Sequence, residues 1–159
     1  MGTNGTRLDR LIQKKEHDAY RSRGKPAEPV ACPGCGAVFH KGRWQWCDKP
    51  TAAAEHKCPA CLRTEDHYPA GMITITGDFF RRHREEILGL VLNRESQEKA
   101  ERPLNRIMEI VEENDTVEVS TTDIHLPRSI GVALQKAYDG VLDYHYEPDA
   151  QVLRVYWSR

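Results

Sequence analysis

Two short motifs carry the most specific chemistry in this chain: Cys32-Pro-Gly-Cys35 and Cys58-Pro-Ala-Cys61, with 22 residues between Cys35 and Cys58. Each pair places two thiols on one tight turn. Two such turns can close a tetrahedron of thiolates, the arrangement structural zinc prefers. Pro33 and Pro59 pre-set the turn backbone, and Gly36 permits a positive φ, so amides can turn toward sulfur. A redox reading would want a single CxxC opening a helix inside a βαβ pattern. Here there are two, and the first leads into a segment that reads as a hairpin. A fully paired disulfide framework would leave one of the five cysteines over. The expectation is therefore one structural zinc held by Cys32, Cys35, Cys58 and Cys61. Four thiolates leave no coordination position for water, so this metal is not expected to catalyse. His40, Cys47 and His56 are substitute ligands, each without a partner at knuckle spacing. Cys47 is expected to be a small packed thiol.

The stretch between the motifs, "VFHKGRWQW", reads as a β-hairpin with Lys41-Gly42 near its tip. On a strand Trp44 and Trp46 share a face. Two readings are open. The indoles could stack on bases while Lys41 and Arg43 meet phosphates. Alternatively both tryptophans cover the metal site as a miniature core, which would bury at least one of them. A second basic group, Arg81, Arg82, His83 and Arg84, is expected in the first turns of a helix. Cations there oppose the helix dipole, which suggests placement for an anionic partner. The alternative is a solvated helix face eased by Glu85 and Glu86. Lys41, Arg43, Trp44, Trp46, Arg81, Arg82 and Arg84 are the candidate RNA contacts.

Charge distribution supports that choice more than net charge does. The chain carries a net charge of -1, yet residues 1–63 hold twelve basic against six acidic residues, an excess of six positive charges. Acid gathers further on, from Glu109 to Glu118. Such a split suggests a polyanion-facing half and a solvating half, with a merely solvated tail as the other reading. His125 and His145 have no Cys, Ser or carboxylate constellation around them. There is no phosphate loop, GxSxG or HExxH, so no catalytic residue and no small-molecule substrate is expected.

The elements that must position these groups follow from periodicity. Residues 1–29 read as a basic flexible arm, in which Leu8, Leu11 and Ile12 could form a short helix on a partner. Residues 30–64 form the metal module, and "EDHYPAG" reads as a linker. Residues 72–159 read as a compact α+β domain. "MITIT" is a strand and "GDFF" opens a helix with Asp78 as N-cap. Phe80, Ile87 and Val91, widened by Leu88 and Leu92, form its apolar face. Pro103 ends or kinks that helix. Leu104, Ile107, Met108 and Val111 then recur at helical spacing and predict a second helix. "TVEVS" is a strand with Val117 and Val119 inward. "TTD" caps a helix whose stripe is Leu126, Ile130, Ala133 and Ala137, with Gly140 at its stop. "VLDYHYE" and "QVLRVYW" form a hairpin. The predicted fold class is α+β: a zinc-ribbon-like module followed by a β-α-(α)-β-α-β-β two-layer domain.

Four segments together carry a family resemblance: "CPGCGAVFHKGRWQW", "CPACLRTEDHYPAGMITITGDFFRRHREEI", "RPLNRIMEI" and "TTDIHLPRSIGVALQKAYDGVLDYHY". From about Ala31 to Trp157 the chain resembles a group of small bacterial proteins labelled "NMD protein affecting ribosome stability and mRNA decay". That group is similar to the zinc-binding N-terminal part of the nonsense-mediated-decay-type adaptor of the large ribosomal subunit, whose paired CxxC motifs sit on ribosomal RNA and protein. The resemblance implies zinc at the four cysteines and a ribosomal partner. The expected function is a non-catalytic, ribosome- or RNA-associated factor. A zinc-stabilised protein–protein adaptor is the alternative, and a zinc-dependent enzyme a third reading. No apolar run approaches the roughly 20 residues that span a bilayer, and the N-terminus lacks the apolar core of a signal peptide. A cytoplasmic location without membrane contact is expected.

Overall fold

The computed structural model describes Tyr20 and residues 27–159. Apart from Tyr20 and residues 27–29, the basic arm and its Leu8, Leu11 and Ile12 helix lie outside the described residues. The described residues form a mixed α+β structure with two sheets and four helices. The first sheet contains β1 (Val30–Ala31), β2 (Val38–His40), β3 (Arg43–Gln45) and β4 (Ala54–Glu55), in the order β3-β2-β1-β4. The expected hairpin is there, with His40 opposite Arg43 and Lys41-Gly42 as a two-residue turn. Both turn residues have positive φ, 52° and 79°, the geometry that matches the twist of paired strands. The Glu28 carboxylate fixes this turn by accepting from the Lys41 and Gly42 amides at 3.0 and 2.8 Å.

Helix α1 (Pro59–Asp66) follows, and it reaches further than the linker reading allowed. Its end is set by His67 in the left-handed conformation, with the Tyr68 amide returning to the Arg63 carbonyl at 3.0 Å. By Ala70 the chain already bonds both neighbours in the second sheet, donating to Thr121 O and accepting from Leu153 N, each at 3.0 Å.

The second sheet contains β5 (Gly71–Thr76), β6 (Ile107–Glu113), β7 (Thr116–Thr121), β8 (Val141–Glu147) and β9 (Val152–Ser158), in the order β6-β7-β5-β9-β8. Within this sheet β5 and β9 pair in parallel and the other neighbours antiparallel. Helices α2 (Asp78–Arg82), α3 (Arg84–Glu101) and α4 (His125–Tyr138) complete the body. Alternation works as the sequence predicts: Ile73, Ile75, Val117 and Val119 are buried, and they meet Phe80, Ile87, Val91, Leu126 and Ile130 from the helices. On α4, Leu134 belongs to the buried stripe while Ala133 is half-buried and Ala137 exposed. On α3, Leu92 is 52% exposed and outside the core. Asp78 is the first residue of α2 rather than its cap, which is Gly77. Asp123, just before the N-cap Ile124, holds the start of α4 by accepting from the amides of His125 and Leu126 at 2.8 and 3.2 Å.

The helix expected from Leu104 to Val111 is instead strand β6, so the order in this body is β-α-α-β-β-α-β-β. The apolar residues that mimicked a helical stripe go to different places. Leu104 packs against the cysteine cluster, Ile107 against the main core, and Val111 is exposed on the edge strand. The hairpin signal that outweighs the periodicity is Asn114-Asp115. Both have positive φ, between Glu113 and Thr116, which pair. The exposed glutamates of β6 suit an edge strand, because charge there discourages pairing with another chain.

The apolar core of this body is built entirely from residues 73–157. A fragment spanning 72–159 is therefore expected to unfold cooperatively on heating without the metal module. A broad, non-cooperative melt would show that the two parts share one core.

Candidate metal centre

Local sequence forms each half of the site separately. In the first half, the chain turns after β1, with Cys32 N donating to Ala37 O at 2.8 Å and Gly36 N to Cys32 O at 3.0 Å. Gly36 takes the positive φ expected of it, 83°, though its amide serves a carbonyl rather than a sulfur. Gly34 sits so close that a Cβ there would lie 3.1 Å from the Cys61 sulfur, so a larger residue would crowd the site. In the second half, Cys58 is the N-cap of α1 and Pro59 occupies the first turn, where its missing N–H costs nothing. The Cys58 sulfur accepts from the Cys61 amide at 3.4 Å.

The two halves bring all four sulfurs within 4.8 Å of one another. Cys32 and Cys61 Sγ are 3.7 Å apart, and Cys35 and Cys58 Sγ 3.8 Å. A disulfide would need about 2.0 Å. A regular tetrahedron with zinc–sulfur bonds of about 2.3 Å has edges of about 3.8 Å. The residues present therefore fit a single tetrahedrally bound ion with thiolate preference. Cys32 and Cys58 are buried, while Cys35 and Cys61 are half-buried.

The electrostatics are those of thiols crowded away from water. Burial pushes the Cys58 thiol up strongly, and burial also raises Cys61 against the pull of Arg106. At Cys32 burial works upward too, but the amides of Cys58, Cys35 and Gly34 outweigh it and bring the thiol down to about 7. The Cys58 amide donates to the Cys32 sulfur at 3.2 Å. A divalent cation is the natural way to hold four such sulfurs together as thiolates.

Sequence reasoning missed one participant. Arg106, 45 residues beyond Cys61, donates to three sulfurs: Nη2 to Cys58 at 3.1 Å and Cys35 at 3.2 Å, and Nη1 to Cys61 at 3.5 Å. Burial disfavours its charge, but the facing sulfurs of Cys61, Cys58 and Cys35 hold it firmly protonated. No spacing rule ties a distant arginine to a CxxC pair, so only the fold reveals the contact.

The substitute ligands stay out of the cluster. His40 is half-buried on β2, with no hydrogen-bond partner for its Nδ1 among the described residues. His56 is exposed. Cys47 is exposed rather than packed. His145 is exposed on β8, and His125 opens α4.

The candidate RNA contacts divide. Trp44 is half-buried against the cysteine cluster and packs on Phe39 at a ring distance of 5.5 Å, so it takes the miniature-core role. Trp46 is 39% exposed, with its indole N–H donating to Lys99 O at 2.6 Å. Lys41, Arg43 and Arg82 are exposed and make no ion pair among the described residues. Arg81 pairs with Asp78 and Asp115, and Arg84 with Glu112. The expectation that all three arginines oppose a helix dipole fails. The helix breaks at His83, so Arg81 and Arg82 lie in the last turn of α2, where the dipole favours cations.

No family model, curated protein or solved structure matches the chain. Among the described residues, no helix is long and apolar enough to cross a membrane.

Proposed function

We propose that this protein is a non-catalytic factor with one structural zinc that associates with RNA, the ribosome being the partner implied by the family resemblance. The observation that carries the metal half is the sulfur tetrahedron, whose edges suit zinc and whose four thiolates leave no position for water. The RNA half rests on the excess of positive charge in residues 1–63, on Lys41 and Arg43 exposed at the hairpin turn, and on Trp46 exposed just past the far end of β3. In this reading the cations neutralise phosphates while Trp46 offers a ring face.

A specific observation favours a protein–protein adaptor as the second reading. Arg81 and Arg84 are already matched by carboxylates of their own chain, so they are poorly placed to serve phosphates. The deciding measurement is association with ribosomes and model RNA across a salt series. RNA binding predicts a steep fall with salt. Arg43→Ala and Arg82→Ala should each shallow the salt slope by about one unit. Trp46→Ala should weaken binding by roughly 1–3 kcal/mol without changing the slope. Arg84→Ala should change little. Association that survives nuclease, ignores salt and is indifferent to Arg43 and Arg82 would decide for the adaptor.

A further inference from the structure

We propose that Arg106 is a positioning residue of the metal centre, which caps one face of the sulfur tetrahedron and fastens the larger α+β body to the metal. The inference rests on the zinc reading and adds a role for a residue outside the CxxC pairs. A divalent ion with four thiolates carries two net negative charges. Partly buried, that charge needs a nearby cation or hydrogen-bond donors. An arginine supplies both, with a permanent charge and a planar fork of donors. The fork here spans Cys35, Cys58 and Cys61. Cys32, the remaining sulfur, is served by the Cys58 amide instead.

The guanidinium is aimed by groups that do not involve sulfur. Its Nε donates to Pro103 O at 2.6 Å, and its backbone N–H donates to Thr122 Oγ1 at 3.0 Å. The Thr122 amide returns to Arg106 O at 2.9 Å, and the Thr122 hydroxyl donates to Leu104 O at 2.6 Å. Asn105 donates from its side chain to Glu98 on α3 at 2.9 Å. Asn105 and Thr122 are both buried, so this is a built perch between α3 and β6. Leu104, two residues earlier on the same loop, packs against the cysteine cluster. Three consecutive residues thus divide the work: Leu104 packs on the cluster, Asn105 anchors the loop, and Arg106 meets the sulfurs. Metal occupancy and order of residues 102–107 are then coupled, and the coupling acts in both directions.

The test uses the full chain loaded with one zinc, competed against a chromogenic chelator, for wild type, Arg106→Ala, Arg106→Gln and Arg106→Lys. Outer-shell partners typically contribute 10–100-fold to metal affinity. Arg106→Ala and Arg106→Gln are expected to lose zinc about 10–100-fold more readily. Arg106→Lys should fall between, because a point charge replaces the fork. Cobalt loading gives a second readout, a shift of the thiolate-to-metal absorption in the variants. Amide exchange gives a third. Removing metal from the wild type should speed exchange at residues 102–107, whereas in Arg106→Gln exchange there should be fast with or without metal. If Arg106→Ala does not fold, the lysine and glutamine variants decide. Wild-type affinity and an unshifted cobalt spectrum in folded variants would overturn the role of Arg106 while leaving the zinc reading intact. A wild-type chain that takes up no metal would overturn the zinc reading itself.

Discussion

Serine in place of Cys58 is expected to abolish stoichiometric metal binding and to unfold the small sheet with α1. Cys58 supplies a sulfur ligand, is the N-cap of α1, and donates its backbone N–H to the Cys32 sulfur; serine keeps the cap and the backbone donor and removes only the thiolate. The apolar groups buried in this module are small, chiefly Val30, Ala31, Ala37, Val38 and Ala60. Such a segment is too short to bury a sufficient core, and pieces of this size usually depend on metal or disulfides. Structural zinc in small zinc-finger modules contributes about 10–16 kcal/mol of apparent binding energy, which on the proposed zinc reading would be folding energy for this module. Losing one thiolate of four removes most of that. The variant should contain less than stoichiometric metal by elemental analysis, lose amide protection across residues 30–66, and become open to proteolysis there. Strong chelation of the wild-type protein should produce the same pattern. The sheet β6-β7-β5-β9-β8 should keep its protection, since its core holds no cysteine. A Cys58→Ser protein that binds one metal with undiminished affinity, or stays protected without any, would refute the scheme.

That centre was the most legible part of the chain because its geometry is local. Each CxxC turn is fixed by neighbours in sequence, and the 22-residue spacer between the pairs closes through a two-residue hairpin turn that Gly42 permits. Strands with strict alternation, such as β5 and β7, were equally readable. The misreadings arose where one pattern served two structures. Leu104, Ile107, Met108 and Val111 satisfy helical spacing by coincidence, because the loop before β6 sends its apolar residues to separate clusters. The break at His83 was hidden because "FFRRHREEI" is helix-compatible throughout. His83 stacks on Phe79 at 4.2 Å, and its amide closes α2 by bonding Phe79 O and Phe80 O. Arg106 was beyond reach for a different reason. Its contact with the sulfurs exists only once β6 pairs with β7 and Thr122 fixes the loop.

The α+β body has its own point of failure at Trp157. This residue is the largest fully buried side chain, set on β9 and packed in the cluster with Val155, Leu134 and Ile75. Its indole N–H donates to Asp139 O at 2.8 Å, at the turn where α4 gives way to β8. Truncation to alanine should remove a large apolar contact and leave a cavity, at a cost of about 3–5 kcal/mol. It also leaves the Asp139 carbonyl without its indole partner. Single domains are stable by only about 5–15 kcal/mol, so this one change should remove a large part of the total. Trp157→Phe separates the two contributions, because it keeps most of the ring and loses the hydrogen bond, which by itself is worth about 1–3 kcal/mol when its partner is stranded. Denaturant unfolding followed by circular dichroism should rank the proteins wild type, phenylalanine, alanine. Metal content should stay at one per chain in both variants under native conditions, because every proposed ligand lies between Cys32 and Cys61. Equal destabilisation by phenylalanine and alanine would assign the effect to the hydrogen bond rather than to packing. Loss of metal from a folded Trp157→Phe would show that the larger body is needed to assemble the site, beyond its contacts through Arg106, Leu104 and Lys99.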